Sequence, residues 1–439
     1  MAESPSRKPN KTQIPRKSKT AFVCSGGAAK AGAFHLGVAL ALQEKGFRFK
    51  GGLKHENASS PEPAKDNQAV TVQDSAGREI SIYVGSSAGS IICAYLACGY
   101  SLSQVIDTFV GKKKSEIGEN EGKLLKRLTY TTMFAIRKDI GLLGMWNAMT
   151  DKSPENESAS PAIGRFISLL AKGSYENIFK WKWLKLSGIF STSGIERYMR
   201  EDVLPSNDFQ NYASDLFVVA TQLNHSKKVV FGKYNYSPPN DDKTVVYTNT
   251  TSIADACAAS TALPPIYTPY PIENERGHKV YYFDGEIRDT LSTHVGFDAG
   301  ADLIISSYSH QPYHFSREIG SLHQFGIPSI MIQAIYLLVE RKIQAAITTQ
   351  ERNKAAIDAT SRFFKENNLP DELRLKCLDL LERKLGYKSG VDYIYIHPHP
   401  NDHQMFFGDH FNLTVSKMGE IVKLGFRCAV DVLRRYEFE

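Results

Sequence analysis

EISIYVGSSAGSIICAYLAC, residues 79–98, decides the fold. Glu79 to Val84 alternates like a half-buried strand, Gly85-Ser86-Ser87-Ala88-Gly89 forms a turn, and Ser90 to Cys98 reads as a helix. A strand feeding a glycine turn that opens a helix is half of an α/β unit. The same grammar stands upstream. Thr20 to Cys24 (TAFVC) is a short apolar run, Ser25-Gly26-Gly27 follows, and an Ala-rich helix from about Ala33 to Lys45 closes at Gly46.

Working outward, residues 51–77 read as a polar surface insertion, residues 111–160 as lysine-rich and irregular, and DKSPENESAS at 151–160 as a linker. Further strands are expected at Asp215 to Gln222, Lys228 to Phe231, Lys279 to Phe283, Asp302 to Ser307 and Tyr393 to Ile396, with helical text from 325 to 386 and from Leu413 to Tyr436. The alternation predicts a mainly parallel central sheet with helices on both faces. No internal repeat is visible.

The 439 residues are 42% hydrophobic and 23% charged, which excludes whole-chain disorder and a fibrous repeat. Net charge is +6, and residues 1–20 supply most of it, with Arg7, Lys8, Lys11, Arg16, Lys17 and Lys19 against Glu3. The basic balance therefore argues for a basic, disordered tail over residues 1–19 and against a nucleic-acid-binding face. That tail has neither the apolar core of a signal peptide nor the pattern of a transit helix. No window reaches the roughly 18 apolar residues of a membrane span. Six scattered cysteines without a CxxC pair read as small buried hydrophobes in a reducing compartment, so a cytoplasmic protein is expected.

Three places carry chemistry. GSSAG at 85–89 fits G-x-S-x-G with Ser87 central: Gly85 and Gly89 let the turn tighten, and the following helix aims its amides at the serine. A chain of this composition produces the pattern roughly 0.2 times by chance, so its place between a strand and a helix is what gives it weight. A purely structural turn is the bland reading. The loop Ser25-Gly26-Gly27-Ala28-Ala29-Lys30-Ala31-Gly32 exposes amides at a helix start and suits an anion, either a phosphate or a developing oxyanion. It is neither G-x-G-x-x-G nor a Walker loop, which disfavours nucleotides. Asp284-Gly285 closes a strand of bulky β-formers, expected to be parallel, at the edge where open α/β sheets build their sites; taken singly, Asp-Gly is a common turn.

Together the three resemble the patatin-like phospholipase family. ACAASTALPPIYTPYP (256–271), FDGEIRDTLSTHVGFDAGADLIISS (283–307), FSTSGIERYM (190–199) and VVATQLN (218–224) are similar to that family's core segments. The resemblance covers roughly 20–310 and implies a three-layer α/β/α catalytic domain there. The remainder, 311–439, is a helical region whose last strand and helix complete the core. It implies a Ser–Asp dyad, with Ser87 as nucleophile and Asp284 as general base. The amides of Gly26, Gly27 and Ala28, near Lys30, form the oxyanion hole, with Gly32, Gly85, Gly89 and Gly285 supporting the turns. It further implies a calcium-independent lipid acyl hydrolase of the phospholipase A or lysophospholipase type, with no cofactor, no metal and a phospholipid or lysophospholipid substrate. The chain departs from the family pattern in three places. Ala28 stands for the third glycine, the loop is one residue longer with Ala31 before Gly32, and Glu286 follows Asp284-Gly285 where a small residue is usual.

Other readings stay open. A serine esterase or acyltransferase could use the same Ser87 on other esters, or a weakly active membrane-binding regulatory module could keep the fold. A Ser–His–Asp triad would call on His294, His310 or His397; His35 reads as a core histidine. HPHPNDHQ at 397–404 gathers His397, His399, His403 and Asp402, with His410 nearby, but in no standard ligand spacing. Trp181 and Trp183 alternate with lysines in FKWKWLKL (179–186), chemistry that suits peripheral membrane contact and equally a half-buried strand. Met133 to Trp146 reads as a lid or a buried helix. Ile330 to Ile347 reads as a core-packing helix first and an oligomer interface second.

Overall fold

A computed structural model describes residues 11–54, 78–110, 125–136, 188, 190–235, 243–288, 290–408 and 413–439. The Trp181 and Trp183 segment, the 151–160 linker, most of the 51–77 insertion and the 111–160 stretch, His410, and the part of Met133 to Trp146 beyond Ile136 lie outside the described residues.

Among the described residues, ten strands make the central sheet: β1 (Thr20–Cys24), β2 (Arg48–Phe49), β3 (Glu79–Ser86), β4 (Asp215–Gln222), β5 (Lys228–Phe231), β6 (Val245–Thr248), β7 (Tyr270–Glu273), β8 (Lys279–Asp284), β9 (Leu303–Ser307) and β10 (Asp392–Ile396). Its heart is parallel, in the order β4–β3–β1–β9–β10. Every residue of β1 and β9 is buried, the near-continuous apolar signature of a strand covered on both faces.

The eight helices that matter here are α1 (Ala28–Glu44), α2 (Ala88–Ala97), α3 (Ile253–Ser260), α4 (Thr293–Asp298), α5 (Gly326–Glu366), α6 (Asp371–Leu385), α7 (Gln404–Phe407) and α8 (Val415–Leu433). Phe22 and Cys24 of β1 pack with α1, α2, α3 and α8, while Ala21 and Val23 face α4 and the middle of α5. This is the expected three-layer α/β/α architecture. Where α1 crosses α8, two helical glycines bring the backbones together. A Cβ on Gly37 would sit 2.0 Å from Val422 O, and one on Gly425 would sit 2.2 Å from Phe34 O.

Three expectations are corrected. Residues 11–19 are not a disordered tail. Thr12–Ile14 pairs in parallel with Tyr436–Phe438, Ile14 is buried, and the Lys17 ammonium lies 2.6 Å from Asp392 and donates to Gly390 O at 2.7 Å. Asp302 accepts from the Ser18 and Lys19 amides at 2.7 and 2.9 Å. Main-chain pairing, the Lys17–Asp392 ion pair and the Asp302 hydrogen bonds, which leave no periodicity in sequence, order the segment. The strand ending at Asp284 is antiparallel to β4 rather than part of the parallel core. Finally, Ile330 to Ile347 is not uniformly core: Val339 and Ile343 are buried, but Ile330, Met331, Ile335, Leu337 and Leu338 face solvent.

Candidate active site

The site lies at the carboxyl edge of the sheet, where two strands meet end to end. Val218 and Val219 of β4 pair with β3 on one side and β5 on the other, and Ala220 and Thr221 pair with β8 and β5. β3 and β8 therefore share one edge of β4 and approach from opposite directions. Ser86 stands opposite Val219 and Asp284 opposite Ala220, so the two chain ends converge.

At the end of β3 the backbone turns sharply, with Ser87 at a φ of 51°, a left-handed conformation that costs a non-glycine residue energy. Space explains the flanking glycines. A Cβ on Gly85 would meet Gly89 O at 2.5 Å, and one on Gly89 would meet Cys24 O at 2.3 Å. Ser260, from the end of α3, braces the turn: its Oγ accepts the Ser87 amide at 2.8 Å and donates to Val219 O at 2.6 Å. Ser90 Oγ donates to Ser87 O at 2.6 Å.

The Asp284 carboxylate is buried, accepts from the Glu286 amide at 2.9 Å and has the Ser87 side chain as its neighbour. Burial pushes its pKa from an ordinary 3.8 up to about 6, against the opposing pull of the Ser87 hydroxyl and the Glu286 amide. Gly285 has no room for a side chain, because a Cβ there would lie 2.3 Å from Val219 O. Its neighbour Glu286 is buried and accepts from the Ser86 hydroxyl.

The glycine loop closes the third side. A Cβ on Gly26 would fall 2.8 Å from Ser87 Cβ and 2.7 Å from Glu286 Cγ, so the bare Gly26 Cα faces the serine. Its peptides are oriented from behind. Ser25 O is 2.9 Å from His35 Nε2, and Gly26 O accepts from Ser309 Oγ at 3.2 Å and Ser25 Oγ at 3.1 Å. In a trans peptide the N–H points opposite to the C=O, which turns the Gly26 and Gly27 amides away from this shell. Gly27, with a φ of 126°, precedes α1, and Ala28, with a φ of 59°, opens it. The first amides of a helix have no intrahelical acceptor. Lys30 is buried and directed to the 404–408 segment, donating to Met405 O at 2.5 Å and Gly408 O at 3.5 Å. Gly32 lines the cleft in front of Ser87.

His35 is the core histidine that its apolar helix suggested. Burial lowers its pKa from 6.5 to about 4, and the neutral ring bridges Ser25 O and Ser307 Oγ, the latter at 2.7 Å. The other histidines are occupied elsewhere. His294 lies 3.1 Å from Lys228 Nζ, His397 stacks on Tyr308, and His310 stands edge-on to Tyr336 behind Gly27. In the HPHPNDHQ turn, Asp402 caps the His399 amide and pairs with Arg427 at 2.6 Å. Among the described residues no three His, Cys, Asp or Glu gather to hold a metal.

An open cleft lies in front of Ser87, walled by Ile91, Ile92, Phe109, Leu128, Met133, Ile195, Leu263 and Tyr267. This lining suits an alkyl chain. Sequence reasoning missed Ser260 and Ser309, because isolated serines carry no signal until the topology brings them to the site.

No curated protein matches the chain. A family model described as Patatin-like phospholipase matches residues 22–296, a span that holds the glycine loop, the Ser87 turn and the Asp284 strand. With more than half of its length matched, the chain belongs to the patatin-like phospholipase family, whose members are lipid acyl hydrolases.

Proposed function

We propose that the chain hydrolyses fatty-acyl esters of phospholipids or lysophospholipids through Ser87 and Asp284, in a reducing cytoplasmic setting and at a lipid surface. One observation carries the reading: a serine on a strained strand-to-helix turn, at the floor of an apolar cleft, has a buried carboxylate as its neighbour where two strand ends converge.

The chemistry follows from that pairing. As Ser87 Oγ attacks the ester carbonyl, its proton passes to Asp284, whose raised pKa brings it closer to neutrality than a free carboxylate. The amides of Gly26, Gly27 and Ala28 take the developing oxyanion. Collapse expels the lipid alcohol, which leaves with the proton from Asp284, and the acyl chain stays on Ser87. Water then gives its proton to Asp284 and attacks the acyl-enzyme, releasing the fatty acid and restoring the serine.

Fatty-acid release from mixed phospholipid and lysophospholipid vesicles, with chelator present, tests this. Wild-type protein is expected to release fatty acid. Ser87→Ala and Asp284→Asn, shown to be folded, are each expected to lose at least 10³-fold, on the order of 4 kcal/mol of transition-state stabilisation. Full activity in Ser87→Ala would overturn the mechanism.

A further inference from the structure

The first turns of α5 show an apolar side to solvent at the carboxyl edge of the sheet. Residues 326–339 contain no charged side chain. Their inner side packs on the shell behind the glycine loop: Gln333 pairs with both main-chain groups of Tyr313 at 2.8 and 3.0 Å, and Tyr336 stands edge-on to His310 and Phe406. The outer side exposes Ile327, Ile330, Met331, Ile335 and Leu338, the first and last by 67% and 63%. A helix side that faces water ordinarily carries polar residues. From residue 341 this one does, with Arg341, Lys342 and Gln344 exposed. Lys342 then reaches the other part of the site, donating to Ile287 O and Arg288 O at 3.1 Å each, and Ile287 is itself exposed three residues after Asp284. The apolar side is therefore tied directly to the turn that carries the carboxylate.

We propose that Ile327, Ile330, Met331, Ile335 and Leu338, with Ile287 beside Asp284, form a face that docks on a lipid surface and brings the Ser87 cleft to the bilayer. The proposal rests on the lipid-hydrolase reading, since an acyl chain must leave a bilayer to reach Ser87. Two observations select a lipid surface as the occupant. The uncharged stretch gives way to a half-buried Glu340 and then to the exposed cations Arg341 and Lys342, the order in which apolar side chains enter the acyl region while cations stay among the headgroups. The face also ends at Lys342, whose ammonium holds the carbonyls of Ile287 and Arg288, three and four residues after Asp284. Docking would be peripheral, because among the described residues no helix is long and apolar enough to cross a membrane.

Vesicle flotation of Ser87→Ala protein tests this without consuming the lipid. Vesicles of phosphatidylcholine, with and without phosphatidylserine, are compared for that protein and for the same protein carrying Ile330→Asp and Leu338→Asp. The parent is expected to float with both vesicles, more strongly with the anionic ones, and the added pair to weaken binding at least tenfold. On the wild-type background the pair is expected to leave hydrolysis of a soluble short-chain p-nitrophenyl ester within twofold while lowering release from vesicles. Equal flotation of parent and variant, no flotation of the parent, or a parent dimer that the pair splits would overturn the proposal. Loss of soluble-ester hydrolysis in wild type would count against the Ser87 reading alone, since flotation is read on the inactive protein.

Discussion

Ser260 and Ser87 are joined by a 2.8 Å hydrogen bond in which the Ser260 hydroxyl accepts the Ser87 amide, while the same hydroxyl donates to Val219 O. One side chain thus ties the strained turn to the central strand that both β3 and β8 follow. Ser260→Ala would leave a buried amide and a buried carbonyl unpaired, a loss of about 1–3 kcal/mol. The expected outcome is a lower Tm and a turnover reduced about tenfold, read by thermal melts and by kcat on a soluble ester. Unchanged turnover would remove Ser260 from the positioning of Ser87.

Asp284 sets a pH dependence with a definite sign. In the proposed role of general base it must be ionised, so activity is expected to rise with pH through about 6. Stability runs the other way. The carboxyl titrates near its ordinary value in the unfolded chain and near 6 when folded, so the native state holds the proton more tightly. That contribution is complete below about pH 4 and lost as pH rises through 6, on the order of 2–3 kcal/mol. Asp284→Asn is accordingly expected to be inactive yet to melt higher than wild type at pH 8. A lower melting point at that pH would contradict the burial argument.

The glycine pair at the α1–α8 crossing gives a stability test remote from the chemistry. At an exposed helical site, Gly→Ala gains about 1 kcal/mol. Here a Cβ at Gly37 or Gly425 would press into the backbone of the facing helix, so Gly425→Ala is expected to destabilise by ~3 kcal/mol or more. Chemical denaturation reads the sign directly.

Lys30 reads in sequence as a basic residue near the oxyanion loop, and the structure turns it toward α7. Removing its ammonium leaves the Met405 carbonyl without this donor and loosens the seat of α1 on the 404–408 segment. Lys30→Met is expected to cost about 1–3 kcal/mol of stability. Its effect on turnover should be far below that of Ser87→Ala, which a paired melt and kinetic measurement would separate.

What the sequence disclosed follows from the range of the interactions involved. The Ser87 turn and the glycine loop are local: strand, glycine and helix lie within twenty residues, and their periodicities change where the chemistry sits. Asp284 was visible as a strand end, but not the antiparallel approach that brings it head-on to β3, because strand direction depends on pairing with β4, 60 to 64 residues earlier in the sequence. Ser260 and Ser309 contribute single hydrogen bonds across the fold and leave no pattern. Thr12–Ile14 is too short to show a period, and it is ordered by a strand from the far end of the chain. The first turns of α5 mislead for another reason: an apolar run reads as core wherever the medium that covers it belongs to no part of the sequence.

Covalent labelling of Ser87 tests the central claim most directly. An alkyl fluorophosphonate, which reacts with an activated serine and mimics the tetrahedral intermediate, is incubated with wild type, Ser87→Ala and Asp284→Asn, and the adduct is mapped by mass spectrometry. The account predicts one adduct per chain, on Ser87, forming faster as pH rises through about 6, absent in Ser87→Ala and strongly slowed in Asp284→Asn. An adduct on another serine, or labelling of Ser87 at the same rate without the Asp284 carboxylate, would contradict it.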